Sequence, residues 1–512
     1  MTTAPIGNVL PRARALPLAA LAGAATVLGF APFHLFPLPV ATLALLIVLW
    51  QRAPSRRDAA LAGFSFGLGY FLAGVSWVYV SLHDFGAMPA LLAGIMTLLF
   101  CVILALYPAI TGWIYHALGA RSMLVTLAAL PALWTLTEWL RGWLFTGFPW
   151  IALGYAQVPD SPLAGYVPIL GIYGATLLTL ITAAIMVQFA QAPRAQRWRL
   201  GAALVAVWAG GYALQRIDWT QPVGEPVSVS LLQGNIPQEM KWREDKIRST
   251  LIAYRDLVAT SDARLIILPE TALPLFLHEV PQDYLDGLAA HARSNRGDVL
   301  IGVPERTDAR NYYNSVRSLG SAPAQTYRKS HLVPFGEFVP LKPLFGWFFE
   351  VTQIPLLDFA RGAETQPPLA VAGQHVAVDI CYEDAFGAEI IRQLPQATLL
   401  ANVSNVAWFG RSIAPRQHLQ ISQARALETG RYMLRATNTG MTAIIDQRGK
   451  VLSAAPAFTT AVVSGVVQGY AGATPFVRWG NAPIIVLALL LALAAGWLGL
   501  REAGNISELP MR

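Results

Sequence analysis

The chain has 512 residues, 54% of them apolar and only 13% charged, and its mean hydropathy is +0.46. An average soluble domain is about one-quarter charged, so this composition excludes a disordered chain and a wholly water-borne one. The net charge of +7 gives no sign of a nucleic-acid partner, because the arginines fall in short clusters between apolar runs rather than on one face. Two cysteines, Cys101 and Cys381, are too few for a disulfide framework.

Two physical environments share the chain. Residues 15–215 are nearly all apolar, whereas 220–480 have the balance of a soluble domain. A hydrocarbon core about 30 Å thick takes about 20 apolar residues in helix. Segments near 15–33, 36–50, 59–82, 89–118, 122–140, 165–190 and 198–214 meet or approach that length, and an eighth lies near 483–500. Arg12 and Arg14 before the first run also fit a signal peptide, but further spans follow it instead of a polar mature domain. The sequence therefore predicts a bundle of seven helices over 1–218, a polar domain over 219–480, and an eighth helix with a tail over 481–512. Lys and Arg cluster in alternate connections, at 12–14, 52–57, 121, 194–199 and 501–512, and only Arg141 lies in the opposite short loops. That bias predicts cytoplasmic termini and a polar domain on the far side of the membrane.

The fifth span ends Trp134-Thr135-Leu136-Thr137-Glu138-Trp139-Leu140-Arg141, with an acid and a base three residues apart. The plain reading is a helix-end ion pair. The functional one is a headgroup or substrate contact, since ionisable groups at membrane depth are costly.

From Pro226 the hydrophobic period changes. Val227 to Gln233 alternates as a strand, and Ile247, Leu251, Tyr254 and Leu257 recur as one face of a helix. Residues 264–270 form a short buried strand ending in Glu270, a helix is predicted over 281–295, and further strands at 298–303, 312–320, 374–380, 398–403, 441–446 and 460–467. Strands alternating with helices, with several adjacent strand pairs, indicate a mixed sheet in a layered α/β domain.

Three residues of this domain carry chemistry. Cys381 follows the strand His375–Ile380 and precedes a helix-like run, Asp384 to Leu394; a thiol at a helix N-terminus is expected to ionise more readily. Cys101, between Phe100 and Val102 in mid-span, reads as packing. Glu270 ends its strand, where a side chain faces a crevice from a rigid backbone. Lys329 sits in Tyr327-Arg328-Lys329-Ser330-His331-Leu332-Val333-Pro334-Phe335-Gly336-Glu337, dense in turn formers and aromatics. Each has a bland alternative: a buried thiol, an exposed turn acid, a solvated lysine.

In this order the three resemble the Glu-Lys-Cys triad of the nitrilase (carbon–nitrogen hydrolase) superfamily. The phrases that carry the resemblance are Gln233-Gly234-Asn235-Ile236-Pro237, Leu268-Pro269-Glu270, Lys329 with His331 to Glu337, and Cys381-Tyr382-Glu383. Set among eight spans, they resemble the membrane-embedded branch of that superfamily, the apolipoprotein N-acyltransferases. The resemblance implies an αββα catalytic domain over roughly 225–470, carried by an eight-helix transmembrane bundle in a bacterial inner membrane and facing the periplasm. It implies a phospholipid acyl donor, phosphatidylethanolamine, and a diacylated apolipoprotein acceptor. Glu270 is then the general base, its carboxyl expected to be raised by burial, Cys381 the nucleophile, and Lys329 the oxyanion partner, with no cofactor or metal. Glu337, Glu383 and Tyr382 are supporting candidates, and Trp242 and Trp408 membrane-facing ones. The apolar stretch from Phe345-Gly346-Trp347 through Ile354-Pro355-Leu356-Leu357 is a further membrane contact candidate. A membrane-anchored amide hydrolase with the same triad, and a lipid-binding or transport protein, are the alternatives.

Overall fold

The computed structural model describes residues 10–507 apart from 242, 309–310, 342, 344–345 and 347–357. Trp242 and nearly all of the apolar stretch 345–357 lie outside the described residues. The chain divides into a helical unit, residues 1–76, 94–217 and 479–512, and an α/β unit, residues 77–93 and 218–478.

In the helical unit each apolar segment folds as helix: Arg12–Thr26, Pro37–Gln51, Arg56–Val75, Ala90–Ala117, Leu130–Arg141, Val167–Gln191, Arg194–Leu214 and Ala482–Ser507. Among the described residues, three stretches are long and apolar enough to cross a membrane: Arg56–Val75, Ala90–Ala117 and Pro162–Gln191. Leu91, Ile95, Leu98, Leu99, Ile103, Leu106 and Ile110 stand exposed along the second, a face that water would penalise and lipid would cover. The first helix meets the third through small residues. A Cβ on Gly23 would sit 1.9 Å from the Phe66 carbonyl oxygen, and one on Gly69 2.0 Å from that of Ala20.

The α/β unit holds two six-stranded mixed sheets. The strands are β1 (Gln221–Gln233), β2 (Leu265–Ile267), β3 (Asp298–Arg306), β4 (Tyr312–Gly320), β5 (Thr326–Arg328), β6 (Leu369–Val371), β7 (Gln374–Ile380), β8 (Leu399–Ser404), β9 (Met433–Thr437), β10 (Ala443–Ile445), β11 (Val451–Ala454) and β12 (Ala461–Ala471). One sheet runs β12-β1-β2-β3-β4-β5 and the other β11-β10-β9-β8-β7-β6. Each has three parallel strands at its centre, β1-β2-β3 and β7-β8-β9, flanked by antiparallel ones.

Strand periodicity builds the layers. Val227, Val229, Leu231, Leu265 and Ile267 pack with Val376, Val378, Ile380, Leu399, Ala401 and Val403 in one core between the sheets. The alternate residues Leu232, Ile266 and Leu268 face outward onto Leu251, Tyr254, Leu285 and Leu288 of helices Glu244–Ala259 and Gln282–Ser294. On the other sheet Ala377, Leu400 and Met433 meet Leu419 and Ala426 of helix Ala414–Thr429. The result is an αββα sandwich, as the resemblance implied. The helix expected over 384–394 is instead a 3₁₀ turn, Cys381–Ala385, a break at Phe386 (φ −110°, ψ 77°), and two further short turns.

Candidate active site

Strand ends from both sheets supply the site. Glu270 lies three residues past β2, Lys329 directly follows β5, and Cys381 directly follows β7. Gly302 on β3 makes room for the first. A Cβ there would meet the Pro269 carbonyl oxygen at 2.2 Å, the Thr271 nitrogen at 2.7 Å and Glu270 Cα at 2.8 Å. Cys381 itself has φ +56°, in the left-handed region that L side chains rarely occupy.

The polar groups interlock. Lys329 Nζ, 1% exposed, donates to Glu337 Oε1 at 2.9 Å and lies 3.5 Å from Glu270 Oε1. Asn314 Nδ2 bridges the same two carboxylates, at 2.7 Å to Glu270 and 3.0 Å to Glu337. The second Glu270 oxygen accepts from the Asn405 backbone N–H at 2.7 Å, just past β8. A second buried lysine, Lys241, donates to the Glu270 backbone carbonyl at 3.1 Å and to the Thr271 hydroxyl. Glu337 is held in turn by the Val333 N–H at 2.9 Å.

These neighbours set the charges. Burial pushes the Glu270 carboxyl up, but Lys329, Lys241 and the Asn314 and Asn405 donors outweigh it, and the group sits below its ordinary value. The expected upward shift is corrected: two ammonium groups overcome desolvation. The Cys381 thiol goes the other way. Burial and then the Glu270 charge push it well above the ordinary thiol value, against the pull of Lys329. The expectation of a helix-lowered thiol is corrected as well: a 3₁₀ turn rather than an α-helix begins at Cys381, and burial dominates. Burial lowers Lys329, yet Glu337 and Glu270 override it and hold the ammonium charged. Lys241, buried among fewer acids, is pulled down to about 8.

The remaining candidates separate into distinct positions. Glu383 braces the Lys329 loop. Its carboxylate accepts from the Ser330 N–H (2.7 Å), the His331 N–H (3.0 Å), the Ile380 N–H (2.7 Å) and the Tyr327 hydroxyl, tying the Lys329 loop to the end of β7. Tyr382 packs edge-on to Phe386 and His331, which stack on each other at 3.7 Å. Trp408 lies beyond the Asn405 turn, edge-on to Phe85, with its carbonyl accepting from Ser81 at 2.8 Å. Glu138 and Arg141 are 4% and 3% exposed inside the helical unit, 3.6 Å apart, and pin the following loop through Leu153 N–H and the Phe148 and Trp150 carbonyls. This arrangement has the form of a helix-end ion pair. Asn314, Asn405 and Lys241 were not singled out from the sequence. Two are neutral amides, and one of those acts through its backbone.

Facing mixed sheets with an acid, a lysine and a cysteine converging from their strand ends define a domain of the carbon–nitrogen hydrolase class, and the Carbon-nitrogen hydrolase family model matches residues 228–476. The model of the Apolipoprotein N-acyltransferase N-terminal domain matches residues 22–185. Proteins named apolipoprotein N-acyltransferase resemble the chain along nearly its whole length. The one from Nitrosomonas europaea is 58% identical over 92% of this chain and 95% of its own. That from Chromobacterium violaceum is 48% identical over 94% and 93%, and that from Vibrio cholerae 40% over 96% and 98%. The chain belongs to the apolipoprotein N-acyltransferase family; it is a membrane protein and an acyltransferase.

Proposed function

We propose that the chain transfers an acyl chain from a phospholipid, phosphatidylethanolamine expected, to the N-terminal S-diacylglyceryl-cysteine of an apolipoprotein, the last step of lipoprotein maturation. The observation that carries this reading is the buried Glu270–Lys329–Glu337 cluster acting on the Cys381 thiol. In the first half-reaction Glu270 takes the thiol proton as the sulfur attacks the ester carbonyl. The oxyanion forms against Lys329. The carbon–oxygen bond then breaks, Glu270 returns the proton to the glycerol oxygen, and lysophospholipid leaves a thioester. In the second half the α-amine attacks the thioester carbonyl, Glu270 takes its proton, the carbon–sulfur bond breaks and the thiol is restored. Thioester to amide is downhill, so no nucleotide is required.

The amide-hydrolase alternative is not favoured, since full-length relatives at 37–58% identity bear the acyltransferase name. We further propose that all eight helices span the inner membrane, with residues 1–218 and 481–512 forming the bundle and 219–480 in the periplasm. Eleven Lys and Arg residues on one set of loops against one, Arg141, on the other support both termini being cytoplasmic. Both substrates are bilayer lipids. Drawing a chain of about sixteen carbons into water would cost on the order of 12 kcal/mol at about 0.8 per CH₂, which favours a pocket open to the membrane.

Mass spectrometry of purified protein incubated with phospholipid tests the reading. A stable acyl adduct on Cys381 is expected, lost in Cys381→Ala and Cys381→Ser and kept in Cys101→Ala. Acyl transfer surviving in either Cys381 variant removes that residue from the reaction.

A further inference from the structure

Beneath Cys381 lies a buried polar network that the reaction scheme does not use. It joins Asp384, Asn402, His418, Ser422 and Arg435, none more than 1% exposed. His418 Nε2 lies 2.7 Å from Asp384 Oδ1 and 3.1 Å from the Cys381 carbonyl oxygen. Both neighbours are acceptors, so Nε2 carries the hydrogen and donates to both. Asn402 Nδ2 likewise donates to the Cys381 carbonyl oxygen at 3.1 Å and to Asp379. Its orientation is fixed, because its own Oδ1 accepts from Arg435 Nη1 at 2.7 Å and from Ser404 Oγ at 2.7 Å. Asp384 is locked on its other oxygen by Ser422 Oγ at 2.6 Å and Arg435 Nη1 at 3.2 Å. Two side-chain donors therefore end on one carbonyl.

That carbonyl belongs to a non-glycine residue at φ +56°, in a region L side chains rarely occupy. We infer that His418 and Asn402 are positioning residues, which hold the Cys381 peptide in its left-handed conformation so that the sulfur stays aimed between Glu270 and Lys329. The inference rests on Cys381 being the nucleophile. Neither residue touches substrate; each acts through the backbone of the residue that does.

Three variants test it: His418→Phe, a ring without the donor; His418→Gln, which keeps an N–H in reach; and Asn402→Ala. Thioester formation on Cys381 is followed by mass spectrometry under single turnover, over a range of phospholipid concentrations. Losing one buried donor should slow acylation about tenfold to hundredfold in His418→Phe and Asn402→Ala, at unchanged half-saturating phospholipid. His418→Gln should recover most of the rate. Alkylation of Cys381 by iodoacetamide, a small electrophile that does not need a carbonyl seated against Lys329, should change less than acylation does. A merely structural role would show as a smaller folded fraction and faster iodoacetamide labelling of an exposed Cys381, with the acylation rate of the folded molecules unchanged. Acylation at the parental rate in folded His418→Phe or Asn402→Ala, or equal losses in the Phe and Gln variants, overturns the inference. If His418→Phe does not fold, Asn402→Ala and His418→Gln decide it by the same criteria. Should the parent itself form no adduct on Cys381, the reading of the nucleophile falls instead, and the two failures are told apart by that control.

Discussion

Replacing Lys329 by methionine tests the centre of the site most directly. Its ammonium lies 2.9 Å from Glu337 and 3.5 Å from Glu270, and both carboxylates share the Asn314 amide. At an effective dielectric near 20, a unit charge at those distances contributes on the order of 5 kcal/mol to each carboxylate. Its loss raises the Glu270 carboxyl, because burial is then opposed only by Lys241 and the Asn314 and Asn405 donors. The base then holds its proton more readily, and the oxyanion has lost its charge partner. Losing such a partner alone slows reactions on the order of a hundredfold to a thousandfold. The assay is thioester formation against pH. In the parent, the rate should be lost only as pH falls through the depressed Glu270 value, below the ordinary 4.5. In Lys329→Met the rate should fall at every pH, and the acid limb should move up in pH. A rate within about tenfold of the parent with the limb unmoved would refute the assignment. So would a normal thioester that stalls only at the amine.

Gly302→Ala should disturb Glu270 without touching its carboxylate, because the new methyl falls 2.2 Å from the Pro269 carbonyl. A drop in thermal midpoint with at least tenfold slower acylation, roughly what a displaced base costs, is expected, and parental values would mean the β2 end can shift freely. Lys241 is pulled from 10.5 to about 8 in the folded chain. Between those values the unfolded chain holds a proton that the folded one has released, so stability should rise with pH there by about 3 kcal/mol relative to Lys241→Met. Denaturant midpoints at pH 7 and 10 measure the difference, and parallel changes in both proteins would contradict it. For topology, Ser321→Cys and Ala195→Cys, both at exposed positions, are placed in a Cys101→Ala, Cys381→Ala background. The first should react with a membrane-impermeant thiol reagent in intact spheroplasts and the second only after lysis; the reverse would put the α/β unit in the cytoplasm.

Cys381, Glu270 and Lys329 were readable because each is a chemically distinctive residue at the end of a strand, in a recognisable order. The groups that tune them were not. Asn405 acts through its backbone N–H, which any residue would supply, and Asn314 is a neutral amide in mid-strand that becomes a bridge only when β4 lies beside Glu270. Helix Ala414–Thr429 escaped notice for a related reason. Gln417, His418, Gln420, Ser422, Gln423, Arg425 and Glu428 are all buried along it, so polar and apolar residues do not sort onto opposite faces. The strands β5 and β6, three residues each, are too short to show alternation. What Glu383 touches was not legible, because its place next to Cys381 in sequence does not say which way its carboxylate turns. The 3₁₀ turn rotates its carboxylate back onto the Ile380 N–H and across to the Lys329 loop.

The opposed shifts of Cys381 and Glu270 describe how the site would keep a reactive sulfur from reacting early. With the thiol pushed up and the carboxylate pulled down, the resting pair is neutral thiol and ionised acid. Moving the proton between them in the empty site is uphill, so the thiolate concentration is low and stray electrophiles meet a poor nucleophile. A carbonyl seated against Lys329 changes that balance. Negative charge then passes from sulfur to the ester oxygen as the proton leaves, and the buried ammonium stabilises that oxygen more than it stabilises a thiolate alone. Proton transfer and attack become one favourable event, available only with substrate in place. The same logic would serve the proposed second half-reaction. There the amine would lose a proton to an ionised Glu270, and a carboxyl raised by burial, as the sequence alone suggested, would already hold one. In the proposed reaction the two lysines that depress Glu270 would therefore serve acceptance from sulfur and from nitrogen alike, which a single base working in both directions requires.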